Sequence, residues 1–106
     1  MATVREITVD ELAAARDDVA PPVVLDVRGR DEYATGHVPG ALNIPLDELP
    51  GHVGELRHVG PIAAICRSGR RSIEAAEALG AAGISAVSVA GGTSAWTATG
   101  RPTHVG

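Results

Sequence analysis

The chain has 106 residues, 44 % of them apolar, and a formal net charge of −4, which is typical of one acidic domain with a single hydrophobic core. All nine basic residues are arginine. This excludes a Schiff-base lysine, a pyridoxal-phosphate enzyme and a Walker-type phosphate loop, because each of these needs a lysine. The negative charge also argues against a nucleic-acid partner or an anionic-membrane surface.

Three features of the sequence predict a soluble, cytoplasmic protein. Residues 3–6 are polar and charged, without an apolar leader, and no apolar run approaches the roughly 20 residues of a membrane helix. The only cysteine, Cys66, cannot form an internal disulfide, so nothing indicates a disulfide-stapled secreted fold.

The first half of the chain predicts three strands and two helices. In chain order they are a strand at 7–9, a helix at 11–17 with Asp10 as its N-cap, a buried strand at 23–27, a helix at 30–35 closed by Gly36, and a short strand at 41–44. A helical turn is predicted at 46–49, after Pro45. Residues 51–60 are polar and contain several glycines, so we expect mainly a loop there, with at most some helix.

The second half predicts two further strands, each followed by a helix. The strand at 61–65 precedes a helix at 72–82, and the strand at 84–89 precedes a helix at 93–99, after a turn at Gly91 and Gly92. Strands and helices alternate and no linker interrupts them. We therefore expect one α/β domain over residues 1–106, with a mainly parallel five-stranded sheet flanked by helices on both faces.

Cys66 follows the strand at 61–65 and opens a short polar loop that leads into a helix. Open α/β sheets bind ligands at the carboxyl ends of their strands, and a helix N-terminus presents free N–H groups to anions. Gly69 permits the turn by which loop N–H groups form an anion nest. Such surroundings lower the pKa of a cysteine from about 8.5 to roughly 3.5–7.5, so we expect Cys66 to be a thiolate nucleophile.

The residues after Cys66 favour anion binding over the alternative, a buried apolar cysteine at a strand end. The candidate binding residues are Arg67, Ser68, Gly69, Arg70, Arg71 and Ser72. The arginines can hold an anionic substrate, and the serines offer hydroxyl donors. Three arginines and a glycine do not suit the apolar surroundings of a structural cysteine.

The segment from Cys66 to Ser72 resembles the active-site loop of the rhodanese family, which is Cys-x-x-Gly-x-Arg followed by Ser or Thr. Three further motifs occur in the family's order. Asp26-Val27-Arg28 resembles its Asp-x-Arg, residues 36–45 resemble its Gly-His-Ile-Pro-Gly-Ala-x-Asn-Ile-Pro signature, and residues 91–102 resemble its closing Gly-Gly-x-x-x-Trp and Gly-x-Pro. The resemblance implies a rhodanese-like fold.

The same resemblance implies a sulfurtransferase. Cys66 would take sulfane sulfur from thiosulfate or a persulfide donor, and the resulting Cys66 persulfide would pass it to cyanide, a thiol or a carrier protein. The arginines would bind the sulfonate of the donor, loop N–H groups would stabilise the persulfide anion, and no metal or organic cofactor is needed.

Two alternatives stay open beside the enzyme. One is a binding module that delivers a persulfide to a partner protein. The other is a phosphatase or arsenate-reductase-like enzyme, since related proteins on this fold carry a Cys-x5-Arg loop. The spacing from Cys66 to Arg71 is Cys-x4-Arg, the shorter loop that the family associates with sulfane sulfur.

Other polar landmarks are interpreted structurally. We expect Asp26 and Arg28, at the end of a buried strand, to form an ion pair or hydrogen-bond clamp that supports the active loop. His37 lies in a turn that shapes the fold, and Trp96 is expected to pack in the core. Asp31 and Glu32 are expected on a solvated helix face, and the scattered histidines do not predict a metal site.

Overall fold

The computed structural model describes residues 4–106, which form five strands, five α-helices and one 3-10 helix. The strands are β1 (Glu6–Ile7), β2 (Val23–Asp26), β3 (Leu42–Asn43), β4 (Ile62–Ile65) and β5 (Ala86–Val89). The helices are α1 (Val9–Arg16), α2 (Arg30–Thr35), α3 (Val53–Leu56), α4 (Arg70–Ala81) and α5 (Gly92–Ala98). The 3-10 helix spans Leu46–His52 and leads directly into α3.

The strands form one sheet in the order β1-β5-β4-β2-β3, and every pairing in it is parallel. This confirms the predicted five-stranded α/β sheet. Asp26 at the end of β2 pairs in register with Ile65 at the end of β4. Because neighbouring parallel strands end at the same edge, the residues that follow β2 and β4 meet there, and Cys66 is the first residue after β4.

The core lies on both faces of the sheet, as predicted. All four residues of β4 are buried, and successive side chains point to opposite faces. Ile62 and Ala64 join one cluster with residues of the 3-10 helix, α3 and α4. Ala63 and Ile65 join the other with residues of α1 and α5. The two alanines are small, which lets helices pack closely against the centre of the sheet.

The start of α1 differs from the prediction. Thr8, not Asp10, is its N-cap: the Thr8 hydroxyl accepts the N–H of Glu11 at 3.0 Å, and the Glu11 carboxylate accepts the N–H of Thr8 at 2.9 Å. This reciprocal capping box satisfies two backbone donors, so Val9 belongs to the helix rather than to the strand. Asp10 lies in the first turn, where the helix dipole favours a carboxylate.

Two other helix boundaries also differ. The helix after Cys66 begins at Arg70, two residues earlier than expected, because Gly69 ends the loop with a φ of +106°. At 51–60, where mainly a loop with some helix is expected, the structure has the end of the 3-10 helix, which runs past the predicted turn at 46–49, and all of α3, which Leu56 anchors in the core. In the described part of the chain no helix is long and apolar enough to cross a membrane.

Candidate active site

Cys66 lies at the carboxyl edge of the sheet, at the bottom of the loop between β4 and α4. Only 1 % of the surface of Cys66 is exposed to solvent. Gly69 turns the chain back over the sulfur, and its backbone N–H donates to Sγ at 3.1 Å. The positive φ of Gly69 favours glycine, and a Cβ there would lie 3.3 Å from the backbone nitrogen of Gly91. The loop is therefore a tight cup with the sulfur at its base.

The surroundings of the sulfur stabilise its anion. Burial alone raises the pKa of the Cys66 thiol, because it removes water from the charged form. The Ser72 hydroxyl and the backbone N–H groups of Ser72, Gly69 and Ser68 act in the opposite direction by hydrogen bonding to the sulfur. Together they outweigh the burial and hold the pKa of Cys66 below its ordinary value. The geometry thus fits a thiolate that is shielded from water.

A pair of buried hydroxyls lies beneath the sulfur. Ser72 Oγ is 3.5 Å from Sγ and 2.8 Å from Ser88 Oγ, and neither serine is exposed. When Cys66 is a thiolate, Ser72 can donate to the sulfur and accept from Ser88. When Cys66 is a thiol, both bonds can reverse. Ser88, on β5, was missed from the sequence, where only its polarity within an apolar strand could have drawn attention to it.

Helix α5 holds the loop from the other side. The Thr93 N–H and hydroxyl both donate to the Cys66 carbonyl, at 2.8 and 3.0 Å, and the Ser94 N–H donates to the Arg67 carbonyl at 3.0 Å. In a trans peptide the N–H and the carbonyl point in opposite directions. Because α5 binds the carbonyls of Cys66 and Arg67 from outside, the N–H groups of the same two peptides, those of Arg67 and Ser68, point toward the inside of the loop. The contact demands Gly92, because a Cβ there would lie 2.4 Å from the Cys66 carbonyl oxygen.

The three predicted arginines have different surroundings. Arg71 forms a bidentate ion pair with Glu32 of α2, with N–O distances of 2.7 and 2.9 Å. This pair, together with the Gly29 N–H, lowers the pKa of Glu32 to about 2 despite its partial burial. The Glu32 side chain is 39 % exposed but is held in this ion pair, which the expectation of a solvated helix face did not include. Arg67 and Arg70 are exposed, with no ion-pair partner within residues 4–106.

Asp26 and Arg28 form the buried ion pair expected from the sequence. The Arg28 guanidinium donates to both Asp26 oxygens, the shortest contact being 2.8 Å, and also to the Gly36 carbonyl at 2.8 Å. The Asn43 amide donates to the carbonyls of Asp26 and Arg28. The pair thus ties β2, β3 and the turn after α2 together beside the active loop.

His37 and Trp96 make structural contacts, as expected. His37 is buried, its Nδ1 lies 2.9 Å from the Tyr33 carbonyl, and its ring stacks on the Tyr33 ring with centroids 3.6 Å apart. The buried Trp96 indole donates to the Pro102 carbonyl at 2.8 Å.

An open groove lies beside the loop, with a volume of about 580 Å³. Asp31 and Thr35 of α2 line one wall, and Ser94 and Thr97 of α5 line the other. Arg67 borders the groove where it meets the active loop. Sequence patterns had not indicated this groove, because its walls come from helices that are about sixty residues apart in the chain.

Comparison with known proteins gives consistent matches. The family profile described as Rhodanese-like domain matches residues 8–99. A sulfurtransferase of Allochromatium vinosum is 32 % identical over 100 residues, which cover 93 % of this chain and 94 % of that protein. A Bacillus subtilis protein named as a candidate sulfur carrier, YrkF, is 35 % identical over 90 % of this chain, which spans 52 % of its length. The crystal structure of a rhodanese-related protein from Thermoplasma volcanium matches with a TM-score of 0.88 and 33 % identity, over 96 % of this chain and 99 % of that one.

Proposed function

Because the chain belongs to the rhodanese-like family, we propose that it is a sulfurtransferase whose Cys66 carries the transferred sulfur as a persulfide. The observation that supports this most is the surroundings of the Cys66 sulfur, which is buried, accepts a hydrogen bond from the Gly69 N–H and lies beside the Ser72 hydroxyl. A thiolate held in this way is a ready nucleophile.

In the first half of the reaction, the Cys66 thiolate attacks the outer sulfur of a donor such as thiosulfate. A new S–S bond forms, the bond between that sulfur and the sulfonate group breaks, and sulfite leaves with the electron pair. The Cys66 persulfide anion then holds the charge, which the loop N–H groups stabilise. We propose that the exposed Arg67 and Arg70 attract and orient the sulfonate, while Arg71 holds the loop against Glu32.

In the second half, a nucleophile takes the outer sulfur and Cys66 leaves as the thiolate. Cyanide, a small thiol and a carrier protein are the acceptors that this chemistry allows. The thiosulfate donor, the acceptor and a cytoplasmic location remain predictions.

Intact-protein mass spectrometry tests the persulfide directly. The chain has one cysteine, so a sulfur that thiosulfate adds and a reductant removes must lie on Cys66. We expect the mass of the wild type to increase by one sulfur atom and that of Cys66→Ala to stay unchanged. Circular dichroism serves as the control that both proteins are folded. Equal addition to both proteins, or none to the wild type, would overturn the proposal.

A carrier module is the second candidate, and the similarity to the Bacillus subtilis protein named as a candidate sulfur carrier favours it. The two roles differ in turnover. An enzyme loads and unloads Cys66 repeatedly with small donors and acceptors, whereas a carrier loads but barely turns over without its partner. Steady-state sulfite release in the presence of a small thiol distinguishes them.

Hydrolysis of an aryl phosphate would instead support the phosphatase alternative.

A further inference from the structure

The groove between α2 and α5 is far larger than a small sulfur donor requires. It is open to solvent and has a volume of about 580 Å³, many times the roughly 30 Å³ that one water molecule occupies in the liquid. Thiosulfate is one sulfur atom attached to a sulfonate and fills only a small part of such a space, and cyanide fills less. The groove therefore has room for a second, larger substrate beside the active loop.

The charges along the groove indicate the chemistry of that substrate. Two of its charged groups are neutralised within the fold, Glu32 by Arg71 and Arg28 by Asp26. Among residues 4–106 the remaining charged groups of the groove, Arg67 and Asp31, have no ion-pair partner. Both are exposed to solvent, so each can meet a ligand group of opposite charge.

Hydroxyl groups line the rest of the groove. Across the described residues, those of Ser94 and Thr103 have no hydrogen-bond partner. The hydroxyl of Thr97 donates to backbone carbonyls but can still accept. Among the described residues no aromatic or large aliphatic side chain lines this groove, so its charged groups and hydroxyls, rather than a hydrophobic side chain, distinguish one thiol from another.

Resting on the proposed sulfurtransferase function, we infer that this groove binds the sulfur acceptor and selects a small zwitterionic thiol of the amino-acid or short-peptide type. The carboxylate of the acceptor pairs with Arg67, its ammonium group pairs with Asp31, and its amide or hydroxyl groups bond to the hydroxyls of Ser94 and Thr103. Asp31 is thereby a specificity-determining residue outside the active loop.

The transfer step is balanced without an added oxidant or reductant. The acceptor thiol releases its proton to solvent, and its thiolate attacks the outer sulfur of the Cys66 persulfide. The new S–S bond forms on the acceptor while the S–S bond to Cys66 breaks. Its electron pair returns to Cys66, which is again the thiolate held by the loop.

Asp31→Asn tests this inference, with Asp18→Asn as the matched control. Asp18 is an exposed carboxylate between α1 and β2, at the edge of the sheet opposite the groove, and it has no ion-pair partner in the described residues. Cys66 is first loaded with thiosulfate and freed of excess donor. Loss of the persulfide is then followed by mass spectrometry against the concentration of each acceptor.

Four thiols separate the charges: L-cysteine carries both, cysteamine only the ammonium, 3-mercaptopropionate only the carboxylate, and 2-mercaptoethanol neither. Their intrinsic reactivities differ, because nucleophilicity follows the thiol pKa. The ratio of variant to wild type for one thiol cancels that difference. Asp31→Lys adds a sign test, since it should favour the carboxylate-only thiol.

We expect Asp31→Asn to raise the half-saturating concentrations of cysteine and cysteamine about two- to fivefold, the range of a partly exposed ion pair. The value for 2-mercaptoethanol should not change, and that for 3-mercaptopropionate should stay equal or fall, because Asp31 repels its carboxylate. Asp18→Asn should change none of them. Equal effects on all four thiols, or no effect, would overturn the selection by Asp31 while leaving the proposed function intact. If none of the four thiols unloads Cys66 and only a protein acceptor does, the selection by Asp31 is likewise overturned and the proposed function stays intact. A wild type that never forms a persulfide would overturn both.

Discussion

Replacing Ser72 with alanine should raise the pKa of Cys66. The Ser72 hydroxyl lies 3.5 Å from Sγ and is one of the groups that lower the pKa of the thiol. The backbone N–H groups of Ser72, Gly69 and Ser68 remain in the variant, so only one donor is lost. Because that donor stabilises the charged form, its removal destabilises the thiolate, and the pKa moves up.

The size of the shift follows from the kind of bond. A hydrogen bond to a charged group contributes about 1.5–3 kcal/mol, and the long distance to sulfur places this one near the lower value. One pKa unit corresponds to about 1.4 kcal/mol, so we expect a rise of about one unit. Ser88→Ala removes only the hydrogen bond by which Ser88 polarises the Ser72 hydroxyl. Such cooperativity is worth about 10–30 % of the Ser72–Cys66 bond, so the pKa of Cys66 should rise by a few tenths of a unit.

The assay is a pH titration of the thiolate, followed by its ultraviolet absorbance and by the rate of alkylation. The single cysteine ensures that both signals report Cys66. Ser85→Ala is the control, because Ser85 is an exposed serine just before β5. An unchanged pKa in Ser72→Ala would mean that backbone donors alone hold the thiolate. An equal rise of the pKa in Ser85→Ala would refute the assignment of the shift to the Ser72 hydroxyl.

Three further substitutions test the supports of the loop by urea unfolding. Gly92→Ala places a Cβ 2.4 Å from a carbonyl oxygen at φ +56° and should cost roughly 2–4 kcal/mol and most of the transfer activity, whereas Gly100→Ala, with open space around it, should cost only about 1 kcal/mol. Glu32→Gln should cost about 1 kcal/mol at pH 7, since Glu32 is partly exposed. Its pKa is lowered to about 2, so the stability it adds is present above its unfolded pKa and is lost as the pH falls toward 2, where variant and wild type should converge. Asp26→Asn leaves the Arg28 charge buried without its partner and should cost about 3–5 kcal/mol. Equal stability of variant and wild type at pH 7 would contradict each assignment.

The fold could be predicted from local patterns because each strand carries its own signal. β4 is apolar along its whole length, which is the pattern of a strand covered on both faces, and β2 differs only by Asp26 at its end. Once those strands are parallel neighbours, their carboxyl ends must share an edge. The position of Cys66 at that edge therefore follows from the sequence alone.

Helix boundaries were less predictable because competing residues offer similar caps. Thr8 and Asp10 can both cap a helix, and the choice depends on Glu11, which completes the capping box only with Thr8. Around α3 the polar, glycine-containing sequence favours a loop in isolation. The burial of Leu56 against the sheet overrides that weak local preference.

The finer structure of the site depends on contacts between distant parts of the chain, which local patterns do not encode. From the sequence, Arg67, Arg70 and Arg71 are all predicted to bind an anion, but in the structure Arg71 is held by Glu32, 39 residues away. That ion pair leaves the other two arginines for the proposed substrate. The reacting atom can thus be identified from the strand, loop and helix that surround it, whereas the division of labour among its arginines exists only in the folded chain.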